Sequence, residues 1–127
     1  TQRQHDLGRR EVVLTLRAAH PDVRLVAVVP FRGQEERFSP ADRVRFLRAV
    51  SAADEVEVLA GGYRRGCYAV RNDFLVDRAA LVVAWYDGSP GGTRYTLRRA
   101  LARGREVWNL HPSGGGLAIR PVQPALF

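Results

Sequence analysis

A glycine-rich turn at residues 87–93 is the segment of this sequence best suited to chemistry. Its glycines are Gly88, Gly91 and Gly92. Glycine removes the side chains that would keep a ligand away from the backbone, and Thr93 supplies a hydroxyl that we expect to cap the following helix. Because the N–H groups at a helix start attract anions, the turn is predicted to hold a phosphate. It does not match the dinucleotide-binding G-x-G-x-x-G motif. It does not match the Walker motif either, since no lysine follows the glycines.

Loop residues after two earlier strand patterns form a second group of candidates. Pro30, Phe31 and Gln34 follow the first strand pattern, and Tyr63 follows the second. Gln34 is suited to hydrogen bonding with a polar ligand edge, and Phe31 or Tyr63 is suited to stacking on a flat base. The alternative, open for each of them, is an ordinary loop residue without a ligand.

A third group lies on a predicted helix at residues 67–76 and just beyond it. It consists of Arg71, Asn72 and Asp77. Arg71 is a natural phosphate partner if it points toward the glycine-rich turn. An internal salt bridge or a helix cap is an equally good hypothesis for Arg71 and Asp77.

Strand and helix patterns alternate along the chain without a linker or a repeat. We predict helices at 7–19, after Ser39, at 67–76 and from Thr93 to about 104, and strands at 24–29, 55–59, 81–85 and 106–110. Strands separated by helices indicate a parallel sheet covered on both faces, with ligands beyond the carboxyl ends of the strands. The loops at 30–34, 61–63, 87–93 and 109–112 are therefore expected at one edge. The predicted fold class is α/β, a Rossmann-like three-layer sandwich with a mostly parallel sheet.

Hydrophobic periodicity also predicts which side chains are buried. The first helix is expected to bury Val12, Val13, Leu16 and Ala19, and the second to bury Val44, Leu47 and Val50. The run 81–85 is apolar throughout, as in a strand buried on both faces.

Composition predicts one globular domain of 127 residues, 46% of them hydrophobic. No apolar run approaches the roughly 20 residues of a membrane helix, and the first residues lack the apolar segment of a signal peptide. We therefore expect a soluble, cytoplasmic protein without a membrane partner. The single cysteine, Cys67, indicates no disulfide and no metal site, and no cofactor is predicted.

All 20 basic residues are arginine, and the net charge is +7. A guanidinium binds phosphate through two parallel hydrogen bonds, so this bias suits a phosphorylated ligand or a nucleic acid. The arginines are scattered along helices rather than gathered in one block, which favours a solvated face and a coding bias against lysine. Nucleic acid is therefore the less favoured partner.

Three ordered motifs together resemble the YpsA/YoqJ-like branch of the SLOG superfamily, the Rossmann-like group that also holds the Smf/DprA and lonely-guy proteins. They are PFRGQEERFS at 30–39, RNDFLVD at 71–77 and DGSPGGTRYT at 87–96. The resemblance implies a doubly wound domain that binds a nucleotide-derived ligand, ADP-ribose-like molecules above all, often as a sensor or effector. By position it assigns phosphate binding to Gly91, Gly92 and Thr93, and lining or bracing of the pocket to Arg71, Asn72 and Asp77.

The chain departs from that family at two places. The family begins with another strand and a Gly-x-Asp turn; here Asp6 takes the aspartate position, Gln4 stands in place of the glycine, and the strand is absent. Thr96 stands where lonely-guy enzymes carry a catalytic glutamate. Because a hydroxyl does not replace a carboxylate in stabilising a cationic ribose, the resemblance favours holding a nucleotide over cleaving it.

Three hypotheses of function follow. The first is a sensor or effector domain, residues 1–111, that binds a nucleotide-derived small molecule through residues that include Asp87 and Thr96. The second is a nucleotide N-glycosidase or phosphoribohydrolase, and the third is a DprA-like nucleic-acid-binding module. The tail at 112–127 is predicted to cover either a sheet edge or the partner of a homodimer, and both alternatives stay open.

Overall fold

Helices alternate with short parallel strands along this chain. The computed structural model describes the backbone of residues 2–113 and 120–121 and the side chains of residues 7–113. The chain divides into two compact units, Thr1–Cys67 and Tyr68–Phe127, and each contains a parallel sheet. This arrangement confirms the predicted α/β, Rossmann-like class with parallel strands.

The first unit has two helices, a short 3-10 helix and two strands. In chain order they are α1 (Gln2–Ala19), β1 (Val26–Val29), the 3-10 helix (Gln34–Arg37), α2 (Pro40–Ala52) and β2 (Glu55–Val58). Strands β1 and β2 pair in parallel, with Val26 opposite Glu55 and Val29 opposite Val58. Helix α2 begins at the predicted cap, because the Ser39 hydroxyl oxygen accepts a hydrogen bond from the backbone N–H of Asp42 at 3.2 Å.

The core of the first unit is built from Leu7, Val29 and Phe46. Arg10 is also buried; its guanidinium donates to the Val28 carbonyl at 3.4 Å and lies 5.2 Å from the centre of the Phe46 ring. Both helices therefore turn a different face inward from the one predicted. The exposed side chains that we expected to be buried are Val12, Leu16, Ala19, Val44 and Leu47, while Val13 and Val50 are half-buried.

The inward face of α2 is set by its largest apolar side chain. Its buried residues are Asp42, Phe46 and Ala49, a stripe with helical spacing. The predicted stripe runs through Leu47, one residue further along, and one residue rotates a helix by about 100°. The phase that buries Phe46 is the observed one because its ring packs with Leu7 and Val29 and meets the Phe38 ring edge to face.

The second unit has two helices and three strands. They are α3 (Cys67–Arg78), β3 (Leu81–Ala84), α4 (Gly92–Ala102), β4 (Glu106–Asn109) and β5 (Arg120–Pro121). Strand β4 pairs in parallel with β3 and with β5, and Leu81 lies opposite Glu106. Arg120–Pro121 therefore lie on the edge of β4, and the rest of the predicted tail beyond residue 113 is outside the described residues.

The core of the second unit lies on one face of its sheet. It consists of Val76, Tyr86, Leu97, Ala100 and Val107, with Val82 and Ala84 packed against it. The alternate residues of β3 and its continuation, Leu81, Val83 and Trp85, are exposed. The expectation that 81–85 is buried on both faces is therefore wrong, because helices α3 and α4 supply core residues to one face only.

The α-helices are between 11 and 18 residues long. Within the described part of the chain, none of them is long and apolar enough to cross a membrane. The apolar runs of the sequence, which are all too short for a membrane helix, lead to the same result.

Candidate functional site

The glycine-rich turn is held in shape by its own aspartate. The Oδ1 atom of Asp87 accepts hydrogen bonds from the backbone N–H of Ser89 at 2.9 Å and from its hydroxyl at 2.6 Å. Gly88 has a φ of 97° and Gly91 a φ of 140°, values that favour glycine. The sequence therefore needs glycine at these two positions to make the turn at all.

Helix α4 begins directly after this turn, and its first turn has no side-chain cap. The residue at the cap position is Gly91, whereas Thr93 is the second residue of the helix. The prediction that Thr93 caps α4 is therefore wrong, because the chain enters the helix two residues earlier than its hydroxyl would require. The hydroxyl of Thr96 donates to the carbonyl of Gly92 at 2.9 Å. The amide groups at the start of α4 thus receive nothing from the cap residue and remain suited to an anion.

Asn109 joins the segments that follow β3 and β4. Its side chain is 1% exposed, and its Oδ1 atom accepts from the backbone N–H groups of Tyr86 at 3.0 Å and His111 at 3.1 Å. Its Nδ2 atom donates to the Tyr86 carbonyl at 3.0 Å. The amide therefore fixes the backbone immediately before the glycine-rich turn and the backbone that follows β4.

Trp85 and His111 form an aromatic pair beside the turn. Their ring centres are 5.0 Å apart in an edge-to-face arrangement, yet Trp85 is 67% exposed. The hydrogen bonds from Ser89 chiefly, with a smaller electrostatic contribution from His111, hold the pKa of Asp87 below its ordinary value. Asp87 therefore carries its negative charge at neutral pH, and His111 lies close enough to influence it.

Arg71 and Asn72 lie together on α3. The Nε atom of Arg71 donates to the Oδ1 atom of Asn72 at 2.8 Å, and the guanidinium lies 5.7 Å from the centre of the Tyr68 ring. The Arg71 side chain is buried. This geometry fits a bracing role within the second unit.

Asp77 belongs to a charged zipper between α3 and α4, which we define as Asp73, Asp77, Tyr95, Arg99 and Arg103. Tyr95 donates a hydrogen bond to Asp73 at 3.1 Å. Arg99 forms ion pairs with Asp73 at 3.1 Å and with Asp77 at 3.0 Å, and Arg103 lies 3.5 Å from Asp77. The two helices therefore run in the same direction. Asp77 sits at the end of the zipper further from the glycine-rich turn, whereas Arg71 lies beyond the nearer end. The structure therefore contains the internal salt bridge that was one of the hypotheses for Asp77.

Acid is expected to weaken this zipper through Asp77. The hydrogen bond from Arg99, with the charges of Arg103 and Arg105, lowers the pKa of Asp77 below its ordinary value. Its contribution to stability is therefore complete above about pH 4, the unfolded value, and disappears as the pH falls through the lower folded value. We predict that the stability difference between wild type and Asp77→Asn, measured by urea unfolding, is largest near neutral pH and shrinks below pH 4. Asp22→Asn, at an exposed turn, is the control; an equal pH dependence for both variants would contradict the assignment.

The candidates in the first unit lie at the carboxyl ends of β1 and β2. The rings of Phe31 and Tyr63 meet edge to face with centres 5.5 Å apart, and Tyr63 is 68% exposed. The N–H of Arg32 donates to the carbonyl of Ala60 at 2.9 Å, so the two loops lie side by side as expected.

Two other motif residues of the first unit are buried rather than presented to solvent. Pro30 is fully buried, and Gln34 begins the 3-10 helix with its side chain buried. The Oε1 atom of Gln34 has no hydrogen-bond partner among the described residues. Because Gln34 is buried, a ligand could donate a hydrogen bond to this oxygen only if the residues that cover it moved.

No three His, Cys, Asp or Glu side chains are grouped so that they could hold a metal ion in the region whose side chains the structure describes.

Several arginines in the described region form ion pairs with carboxylates. These pairs include Arg17 with Asp54 at 3.0 Å and Arg45 with Glu11. Such pairing fits the solvated-face interpretation of the arginine bias.

The sequence did not indicate that Trp85 is an exposed ring beside the turn or that Asn109 positions the backbone there. Trp85 had no signal in the sequence, because the run 81–85 is apolar throughout and only the packing of the helices determines which of its faces is exposed. The role of Asn109 had no signal of its own, since it depends on which backbone groups the fold brings to that amide.

Known proteins similar to this chain agree with the motifs. The YpsA family model, described as YspA SLOG family, matches residues 5–109. A SPbeta prophage-derived protein, YoqJ of Bacillus subtilis strain 168, is 29% identical over 111 residues, which cover 76% of this chain and 65% of that protein. A UPF0398 protein of Halalkalibacterium halodurans is 31% identical over 101 residues, covering 77% of this chain and 53% of that protein. This chain thus spans between half and two thirds of the length of these relatives.

Proposed function

This chain belongs to the YspA SLOG family, and on that premise we propose that it binds a nucleotide-derived phosphorylated ligand, either a nucleotide or an ADP-ribose-like molecule. Membership of this family supports a nucleotide-related ligand-binding function in general. The proposal goes further and places the ligand's phosphate at the start of α4. In this role the domain acts as a sensor or effector that responds to the ligand.

The uncapped first turn of α4 carries this proposal. Its cap residue, Gly91, has no side chain, and a Cβ atom at Gly92 would meet no atom within 4 Å. A phosphate can therefore approach the N–H groups of Gly92 and Thr93 without displacing a side chain. The positive end of the helix dipole favours its negative charge there.

Asp87 has a different role in this proposal because its own charge would repel a phosphate. The carboxylate is ionised at neutral pH and uses Oδ1 for Ser89. Its second oxygen accepts hydrogen bonds, so it suits a ribose hydroxyl. Phosphate on the helix and ribose on the aspartate together account for the ribose phosphate part of a nucleotide.

Binding to purified protein tests the proposal. Isothermal titration with AMP and ADP-ribose is expected to show saturable binding, and adenosine, which lacks phosphate, is expected to bind at least tenfold more weakly. Chromatography of the same mixtures distinguishes the enzyme hypothesis, since release of adenine or ribose phosphate would demonstrate cleavage. If AMP, ADP-ribose and adenosine all fail to bind, the proposal is wrong.

Gly92→Ala is expected to weaken phosphate binding without harming the fold. A Cβ atom tilts toward the start of its helix, so the added methyl group enters the space in front of the amide groups. Alanine is also the better helix former, so the melting temperature should stay level or rise slightly. We expect AMP affinity to fall at least tenfold in isothermal titration.

Gly8→Ala is the matched control for this variant. Gly8 lies in α1 and likewise has no atom within 4 Å of an added Cβ. This variant should keep the affinity of the wild type for AMP. Equal affinities of wild type, Gly92→Ala and Gly8→Ala would place the phosphate elsewhere.

A further inference from the structure

The aromatic pair beside the glycine-rich turn offers a surface for a flat ligand group. We propose that Trp85 stacks against the base of the nucleotide, an inference that rests on the function proposed above. It assigns to this site a base-binding residue that the three sequence motifs do not contain.

The position of Trp85 relative to the turn supports this assignment. Trp85 precedes Asp87 by two residues, so the two lie within about 7 Å along the chain. In a nucleotide the ribose lies between phosphate and base, and in this sequence Asp87 lies between Trp85 and the start of α4. The order of the protein groups therefore matches the order of the ligand groups.

The exposure of Trp85 and the fixed backbone beside it also favour a binding role. The side chain is 67% exposed, which leaves a large aromatic surface without cover. Its neighbour Tyr86 is held by two hydrogen bonds to Asn109, so the backbone beside the ring is fixed before a ligand arrives. A preorganised ring loses little conformational freedom when a base stacks on it.

His111 completes one side of this surface. The N–H of Ser113 donates to Nδ1 of His111 at 3.1 Å, which holds the imidazole in place beside Trp85. The imidazole meets Trp85 with an angle of 68° between the rings. Stacking on tryptophan does not select among bases, since every base has an aromatic face. The inferred ligand class is therefore a phosphorylated nucleoside rather than a sugar phosphate.

Comparison of AMP with ribose 5-phosphate tests this inference. AMP should bind wild type about tenfold more tightly than ribose 5-phosphate does, the difference that one stacked base provides. In Trp85→Ala the two affinities should become equal, while Trp85→Phe should keep most of the preference for AMP. Trp108→Phe is the control; it should leave both affinities unchanged and make Trp85 the sole tryptophan, whose fluorescence AMP but not ribose 5-phosphate should quench.

The outcomes separate the two proposals. If ribose 5-phosphate and AMP bind wild type equally and Trp85→Ala changes neither affinity, the base does not stack on Trp85 but the phosphate site stands. If neither compound binds wild type, the proposed function fails and the inference about Trp85 fails with it. A melting temperature of Trp85→Ala close to that of wild type shows that any loss of affinity comes from the ring, as expected for an exposed side chain.

Discussion

Asn109→Leu is expected to lower the free energy of unfolding by about 3 to 5 kcal/mol. The substitution leaves the N–H and the carbonyl of Tyr86 and the N–H of His111 without their partners, and the two Tyr86 bonds are buried. Each unsatisfied buried group costs about 1 to 3 kcal/mol, and a typical domain has only about 5 to 15 kcal/mol in total. Urea unfolding followed by circular dichroism measures the loss. A loss below about 1 kcal/mol would mean that the amide does not hold these segments.

Asn109→Asp separates the donor role of this amide from its acceptor role. The carboxylate keeps an acceptor for the two N–H groups but faces the carbonyl of Tyr86 without a proton to donate. Burial and the missing donor raise the pKa of the new carboxyl in the folded state, so its destabilising effect is greatest at high pH. Relative to wild type at the same pH, the variant should therefore regain stability as the pH falls and the carboxyl becomes protonated. If the difference in unfolding free energy between the variant and wild type did not change with pH, the donor role of Asn109 would be contradicted.

The glycine-rich turn could be predicted because its determinants are local. Gly88 and Gly91 adopt backbone angles that favour glycine, and Asp87 bonds to a residue only two positions away. The order of helices and strands could be predicted for the same reason, since a cap such as Ser39 marks its own helix. Residue types and short spacing carry this information without knowledge of the fold.

The features that could not be predicted depend on contacts distant in sequence. Asn109 bonds Tyr86, 23 residues away, and Asp77 bonds Arg99, 22 residues away. Local sequence patterns offer several partners for each such group, and only the packing of helices and strands determines which partner is used. The same limit applies to Thr93, whose predicted role as a cap depended on where α4 begins.

The inward face of α2 shows how such a choice is made. Val44, Leu47 and Val50 have helical spacing, as do Asp42, Phe46 and Ala49. Both stripes are compatible with an amphipathic helix, so periodicity alone does not separate them. The contacts of Phe46 do so, because Leu7 and Val29 pack with it and the Phe38 ring meets it edge to face at 5.6 Å.

Phe46→Ala is therefore expected to lower the free energy of unfolding by about 3 to 5 kcal/mol, as large-to-small changes in a core do. It removes a side chain that is 5% exposed, and it also deprives Arg10 of the ring over which its guanidinium lies. Val44→Ala on the same helix is the matched control; Val44 is 54% exposed, and this change should alter stability by no more than about 0.5 kcal/mol. Urea unfolding of both variants compares the two faces directly. A larger loss for Val44→Ala than for Phe46→Ala would show that α2 turns the stripe through Val44 inward, with Phe46 outside the core.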